Sequence, residues 1–209
     1  MPTLASRFVD LGLFSHAVSL SHAYGVGIVC AIFLCSLVSF APAQDKPDPG
    51  AVELKKSMTE LREAIKDGND TKVAELTGKL LPDAERIGKG LGAGAGEEGK
   101  QKVVAFHARM PKDSQALARL FSVKPAQTEV AVHGATAEEM AAYEDGSVAF
   151  KEFPAAVKGL AAKGAFVAGK TYYEVEFLEP GSDAGMKYHL FYWDGSGWSM
   201  MGPLWRLLQ

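Results

Sequence analysis

Glu174 and Glu176 stand two residues apart in a run of alternating character, Thr171 to Glu179, and His189 stands in the next such run, Lys187 to Trp193. Alternate residues of a strand share one face, and a residue on the neighbouring strand comes within reach of them. Two carboxylates and an imidazole could therefore meet at one point. Such a trio could hold a divalent ion or move a proton. The plainer reading is a solvated strand face on which Glu176 and His189 form an ordinary cross-strand pair. No further ligand stands out beside them, and no cofactor is expected.

Aromatic residues gather in the same stretch. Tyr172, Phe191, Trp193 and Trp198 could form a platform for a sugar ring or an apolar ligand, with Trp205 close by after Pro203. They are also strand formers that stabilise hairpins by cross-strand contact, which is the structural alternative.

Other chemistry is excluded or weak. Gly94 to Lys100 has the spacing of a phosphate-binding loop, but Gln101 follows where Ser or Thr must hold magnesium, no strand precedes it, and Glu97 and Glu98 would repel phosphate. The chain has no G-x-S-x-G elbow and no H-E-x-x-H. His107, in a helical apolar stretch, and His133, ending a strand before Gly134, read as structural. The two cysteines, Cys30 and Cys35, both lie in the N-terminal 43 residues. Of 22 basic and 25 acidic residues, one of each lies there too, and the rest are well mixed. That pattern has no basic stripe and excludes nucleic acid as the expected partner.

The elements that must position these residues are three strands in a meander. Thr171 to Glu179 and Lys187 to Trp193 are joined by the loop Pro180 to Gly185, and Asp194-Gly195-Ser196-Gly197 turns the chain into Trp198 to Met201. With Glu179 opposite Met186, Phe177 faces Tyr188, Val175 faces Leu190 and Tyr173 faces Tyr192. On the other side Glu176 faces His189, Glu174 faces Phe191 and Tyr172 faces Trp193. The second turn pairs Trp193 with Trp198 and Phe191 with Met200. The first face is apolar and should pack on helices; the second is mixed and is the candidate surface.

Upstream, Leu54, Met58, Leu61 and Ile65 recur at helical steps, Gly68 and Asn69 break the pattern, and Val73, Leu76, Leu80 and Leu81 resume it until Pro82. Residues 44–87 read as a helical hairpin. Gly88 to Gly99 is the most glycine-rich stretch and reads as a flexible linker. Residues 100–209 read as an α+β domain, with a helix over Val103 to Met110, another capped at Asp113 or Ser114, a strand over Thr128 to His133, a capping box at Thr136 to Glu139, and a last helix from Pro154 to Gly164. The fold class expected is α+β, helices packed on a C-terminal antiparallel sheet.

Val26 to Phe40 is an apolar run followed by Ala41-Pro42-Ala43 and the polar Gln44-Asp45-Lys46, the layout of a signal peptide cleaved between Ala43 and Gln44. The expectation is an exported protein, periplasmic or secreted. Its leader is weakly basic, so an uncleaved membrane anchor remains an alternative, although a spanning helix needs about 20 apolar residues.

The closing stretch, Tyr192-Trp193-Asp194-Gly195-Ser196-Gly197-Trp198 with Met201-Gly202-Pro203, resembles the last strands of small cystatin-like or NTF2-like α+β domains. The likeness covers about the last 45 residues. It implies a curved sheet around helices with a cone-shaped pocket, used for catalysis in some members and for binding or dimerisation in others, and it carries no residue role to this chain. Lys170 to Arg206 also has the look of exported bacterial proteins of unknown function. The function expected is a non-enzymatic binding or interaction domain whose partner is a small ligand, an envelope protein or a second copy of the chain. The alternative is a hydrolase or isomerase centred on Glu174, Glu176 and His189.

Overall fold

A computed structural model describes residues 48–208 of the chain; the expected leader and the cleavage expected between Ala43 and Gln44 lie outside the described residues. The first helix, α1 (Pro49–Lys66), starts with proline, which has no N–H to satisfy, and the Asp48 carboxylate accepts from the Gly50 N–H at 2.9 Å. Its stripe of Leu54, Met58 and Leu61 is wholly buried, which contributes about 1.5 to 3 kcal/mol per side chain. Gly68, at φ +64°, ends it. Asn69 then caps α2 (Asp70–Leu80), accepting from the Lys72 N–H at 3.1 Å. The helical hairpin read from the sequence is present.

Pro82 stops α2, and Asp83 caps α3 (Ala84–Gly90). The glycine-rich stretch beyond it is not the linker its composition suggested. It holds the end of α3, an antiparallel bridge from Leu91 to Phe166, a single 3-10 turn at Ala93–Ala95, and the start of α4 (Gly96–Ala108). The glycines are there for close approach: a Cβ at Gly92 would collide with the carbonyl oxygens of Gly164 and Phe166, and one at Gly94 with that of Lys163. The described residues accordingly form one compact unit and not two domains joined by a spacer.

After α5 (Ser114–Leu117), strand β1 (Glu129–Thr136) runs into the expected capping box, in which Thr136 Oγ1 accepts from the Glu139 N–H at 3.2 Å and Glu139 Oε2 from the Thr136 N–H at 2.7 Å. Helices α6 (Ala137–Ala142), α7 (Val148–Glu152) and α8 (Ala156–Ala162) follow. Strands β2 (Thr171–Leu178), β3 (Met186–Trp193) and β4 (Trp198–Met200) complete an antiparallel sheet of order β1-β2-β3-β4. The fold is α+β.

Both faces of this sheet are covered, so the mixed face does not form an open surface. Val130, Tyr173, Val175, Phe177, Phe191 and Met200 pack with the α1 and α2 stripes and Phe121. Tyr172, Leu190 and Tyr192 pack on the other side with Ile87, Val103, Met140, Val157, Phe166 and Leu204. The split follows from the register. Phe177 pairs with Met186, Val175 with Tyr188 and Glu176 with Lys187, two residues away from the expected pairing. Gly185 sits against Phe177 and donates its N–H to the Glu176 carboxylate at 2.6 Å, which closes a longer connection, residues 178–185, than the expected loop Pro180 to Gly185. Between Val175 and Tyr173 the partner strand carries one extra residue: Tyr173 pairs with Phe191, and Leu190, at φ +58°, forms a β-bulge. Leu190 and Tyr192 therefore point away from Val175 and Tyr188. The β3–β4 pairing is as expected, Trp193 with Trp198 and Phe191 with Met200.

Candidate functional site

The bulge decides what happens at Glu174. Its side chain is completely buried, one carboxylate oxygen bonds His189 Nδ1, and the other accepts from the Leu190 N–H at 3.3 Å. Two residues of β3 thus face Glu174, and the amide that the bulge takes out of the ladder finds the carboxylate. Burial pushes the Glu174 carboxyl above its ordinary value, opposed by the bond to His189. The imidazole is held from the far side by Trp205, edge-on with ring centres 5.0 Å apart. So Glu174, not Glu176, is the partner of His189, which corrects the expected pairing of Glu176 with His189 and of Glu174 with Phe191.

Glu176 belongs to a second group on the same face. Its carboxylate lies 3.5 Å from Lys187 Nζ, which also reaches Glu152 Oε2 at 3.0 Å and the Glu152 carbonyl at 3.3 Å. His133 Nε2 lies 3.7 Å from the same Glu152 oxygen. Burial pulls the Lys187 ammonium down, but the bond to Glu152 and the charges of Glu176 and Glu152 outweigh it and hold it above its usual value. One ligand atom each from His133, Glu152 and Glu176 lie within 4.8 Å of one another, a spacing a divalent ion could bridge. The ammonium already supplies the cation those carboxylates require. The trio named from the sequence is thus split between two groups. His133, Glu152 and Lys187 were missed; Lys187 was signalled by standing two residues before His189 on one strand face, whereas Glu152 arrives from α7, which no local pattern ties to the sheet.

The aromatic candidates separate as well. Tyr172 and Phe191 are wholly buried in opposite cores, and the Tyr172 hydroxyl donates to the Gly90 carbonyl at 2.8 Å while accepting from the Val167 N–H at 2.9 Å. Neither is at a surface, which corrects their assignment as ligand contacts. Trp193 and Trp198 do stand together, ring centres 5.4 Å apart and planes 74° to each other, and Trp193 is 44% exposed. They border a cleft of about 380 Å³ between the α1–α2 hairpin and the β3–β4 turn, with Met58, Leu76 and Leu80 as its apolar wall.

Arg86 holds the cleft in shape. Its guanidinium pairs with Asp194 and donates to the carbonyls of Trp198 at 2.6 Å and Lys79 at 3.1 Å, joining α2, α3 and the turn. The Asp194 carboxylate is buried, which would raise its pKa. Bonds from Ser196, Arg86 and Ser199 prevail and hold it well below the usual carboxylate range. The turn closes on this carboxylate, which also accepts from the N–H groups of Ser196 and Gly197 at 2.8 and 3.0 Å.

No family model, no curated protein and no solved structure matches this chain.

Proposed function

We propose that the protein is an exported, non-enzymatic binding module whose site is the cleft between the α1–α2 hairpin and the β3–β4 turn. The observation that carries this reading is Trp193: a large aromatic side chain left nearly half exposed at the rim of a shaped, mostly apolar cavity. Covering an exposed indole removes a large apolar area from water, so a ligand lying on it gains affinity directly. Arg86 and Asp194 fix the walls in advance, which lowers the ordering cost of binding. Export is supported by the apolar run and the Ala41-Pro42-Ala43 site. The test is a thermal-shift screen against sugars, peptidoglycan fragments, small amphiphiles and divalent metals. A ligand at about 100 times its dissociation constant adds about 2.7 kcal/mol. Loss of that shift in Trp193→Ala places the ligand in the cleft; a shift that survives the substitution overturns the assignment.

A second reading, a hydrolase or isomerase, rests on Glu174 and His189. A buried carboxylate that orients an imidazole whose other edge is partly exposed is the arrangement a general base requires. Turnover of any ester or isomerisable substrate by the purified protein, lost in His189→Ala, is the result that would favour it.

A further inference from the structure

We infer that the cleft takes a small, flat, uncharged apolar molecule and discriminates against sugars, an inference that rests on the binding-module reading above. Sugars held on tryptophan faces need several polar side chains free to meet their hydroxyls, and most of those bordering this cleft are committed elsewhere. Ser57 donates to the Glu53 carbonyl at 3.2 Å, Ser196 to Asp194 at 2.7 Å, and Lys79 to Glu75 at 2.6 Å. The Arg86 guanidinium is divided among Asp194 and the carbonyls of Lys79, Leu81 and Trp198. A hydroxyl entering here would give up its water and find the Ser57, Ser196 and Arg86 donors committed, with only the remaining N–H groups of the solvent-exposed Lys79 ammonium to meet it.

Charge argues the same way. Each cation at the cleft has its own anion, Arg86 with Asp194 and Lys79 with Glu75, so the site offers no unbalanced charge to an ionic ligand. What it does offer is shape. Two indole rings at 74° make a corner, against which one flat ring can stack on Trp193 while meeting Trp198 at its edge. The volume, about 380 Å³, is near the small end of the range that holds organic ligands. The indole N–H groups add a donor or two, enough for a single oxygen on the ligand.

The whole chain, expressed with its leader and purified with uniform ¹⁵N labelling, tests this through its three indole N–H resonances, each identified by Trp→Phe substitution. The probes are 2-naphthol, a flat apolar ring with one hydroxyl, and maltose. The expected result is saturable shifts of the Trp193 and Trp198 resonances by 2-naphthol, a still Trp205, no response to maltose, and about tenfold weaker naphthol binding in Leu76→Lys. Trp193→Ala, at an exposed position, supplies a second variant should Leu76→Lys fail to fold. Shifts of Trp193 and Trp198 by maltose but not by 2-naphthol overturn the ligand class and leave the cleft standing as the site. Silence of both resonances towards both probes, together with a flat thermal-shift screen, overturns the cleft reading and this inference with it. A naphthol response confined to Trp205 overturns the inference by placing the apolar site elsewhere.

Discussion

Arg86 and Asp194 are 108 positions apart in sequence and form the ion pair that fastens the β3–β4 turn to the helical half of the molecule. Asp194 does more than pair. Its carboxylate accepts from the Ser196 and Gly197 amides and from the Ser196 and Ser199 hydroxyls, the last two at 2.7 Å each. One buried acid therefore shapes the turn, anchors α3 and sets one wall of the cleft.

Asp194→Ala should cost about 3 to 5 kcal/mol, because it leaves the guanidinium and several turn donors without their acceptor. Arg86→Ala should cost less, since Asp194 keeps its turn bonds. Urea unfolding of both variants at neutral pH gives the comparison. The acid limb follows with a definite sign: the folded pKa of Asp194 lies below its unfolded value, so its contribution is present above about pH 4 and is lost as the pH falls through the folded pKa. Asp194→Asn should be less stable at neutral pH and should lose less on acidification. An unchanged acid slope would remove Asp194 as its cause.

Glu174→Ala and Glu174→Gln should behave differently. Alanine leaves the Leu190 N–H at the bulge unpaired in a buried place and strips His189 of its partner, a loss of about 2 to 4 kcal/mol. Glutamine keeps an acceptor for the amide and removes a charge that burial disfavours, so its cost should be under about 1 kcal/mol. Equal losses in chemical denaturation would mean that the charge itself, and not the hydrogen bonds, holds the bulge.

His107 supplies a second pH prediction, nearer neutrality. Its Nε2 hydrogen-bonds the Met201 carbonyl at 3.2 Å, its Nδ1 has no partner among the described residues, and burial pushes its pKa below the ordinary 6.5. Below about pH 6.5 the unfolded chain binds a proton that the folded chain resists, so stability falls as the pH drops through that value. His107→Gln, which can still donate to the carbonyl, should flatten the decline in thermal midpoint between pH 7.5 and 5. A decline of the same size in the variant would assign it to other groups.

Much of this architecture was legible locally, and the reasons the rest was not are physical. The α1 and α2 stripes, the Thr136–Glu139 capping box and the tight turn at Asp194 are set by neighbours a few residues apart, and periodicity exposes such elements directly. The β2–β3 register was not legible, because it depends on a strand carboxylate, Glu176, accepting from the loop residue Gly185 and on one residue, Leu190, adopting a positive φ. A slip of that kind changes which residues meet, and a bulge sends the rest of the strand to the other face. That is why His189 went to Glu174, and why Tyr172 and Phe191 left the supposed platform for two separate cores. Glu152 reached the sheet through tertiary packing alone.

The glycine-rich stretch gives the sharpest contrast between composition and structure, and one substitution series separates them. In a flexible linker, Gly→Ala at positions 92 and 94 would be neutral or stabilise by about 0.4 to 1 kcal/mol, by reducing the freedom of the unfolded chain. In this fold both positions touch the backbone at 163–166, with the Gly92 N–H donating to the Ala165 carbonyl and the Gly94 N–H to that of Gly164, each at 2.9 Å. A methyl group there must push two backbone segments apart, which should destabilise by about 1 to 3 kcal/mol and disturb the Leu91–Phe166 bridge. Gly88→Ala is the internal control: a Cβ at Gly88 meets nothing, and the residue lies inside α3, so alanine should stabilise by about 0.5 to 1 kcal/mol. Opposite signs at 88 and at 92 and 94, read from thermal unfolding midpoints of the three variants, are the expected pattern; three small stabilising shifts would restore the linker.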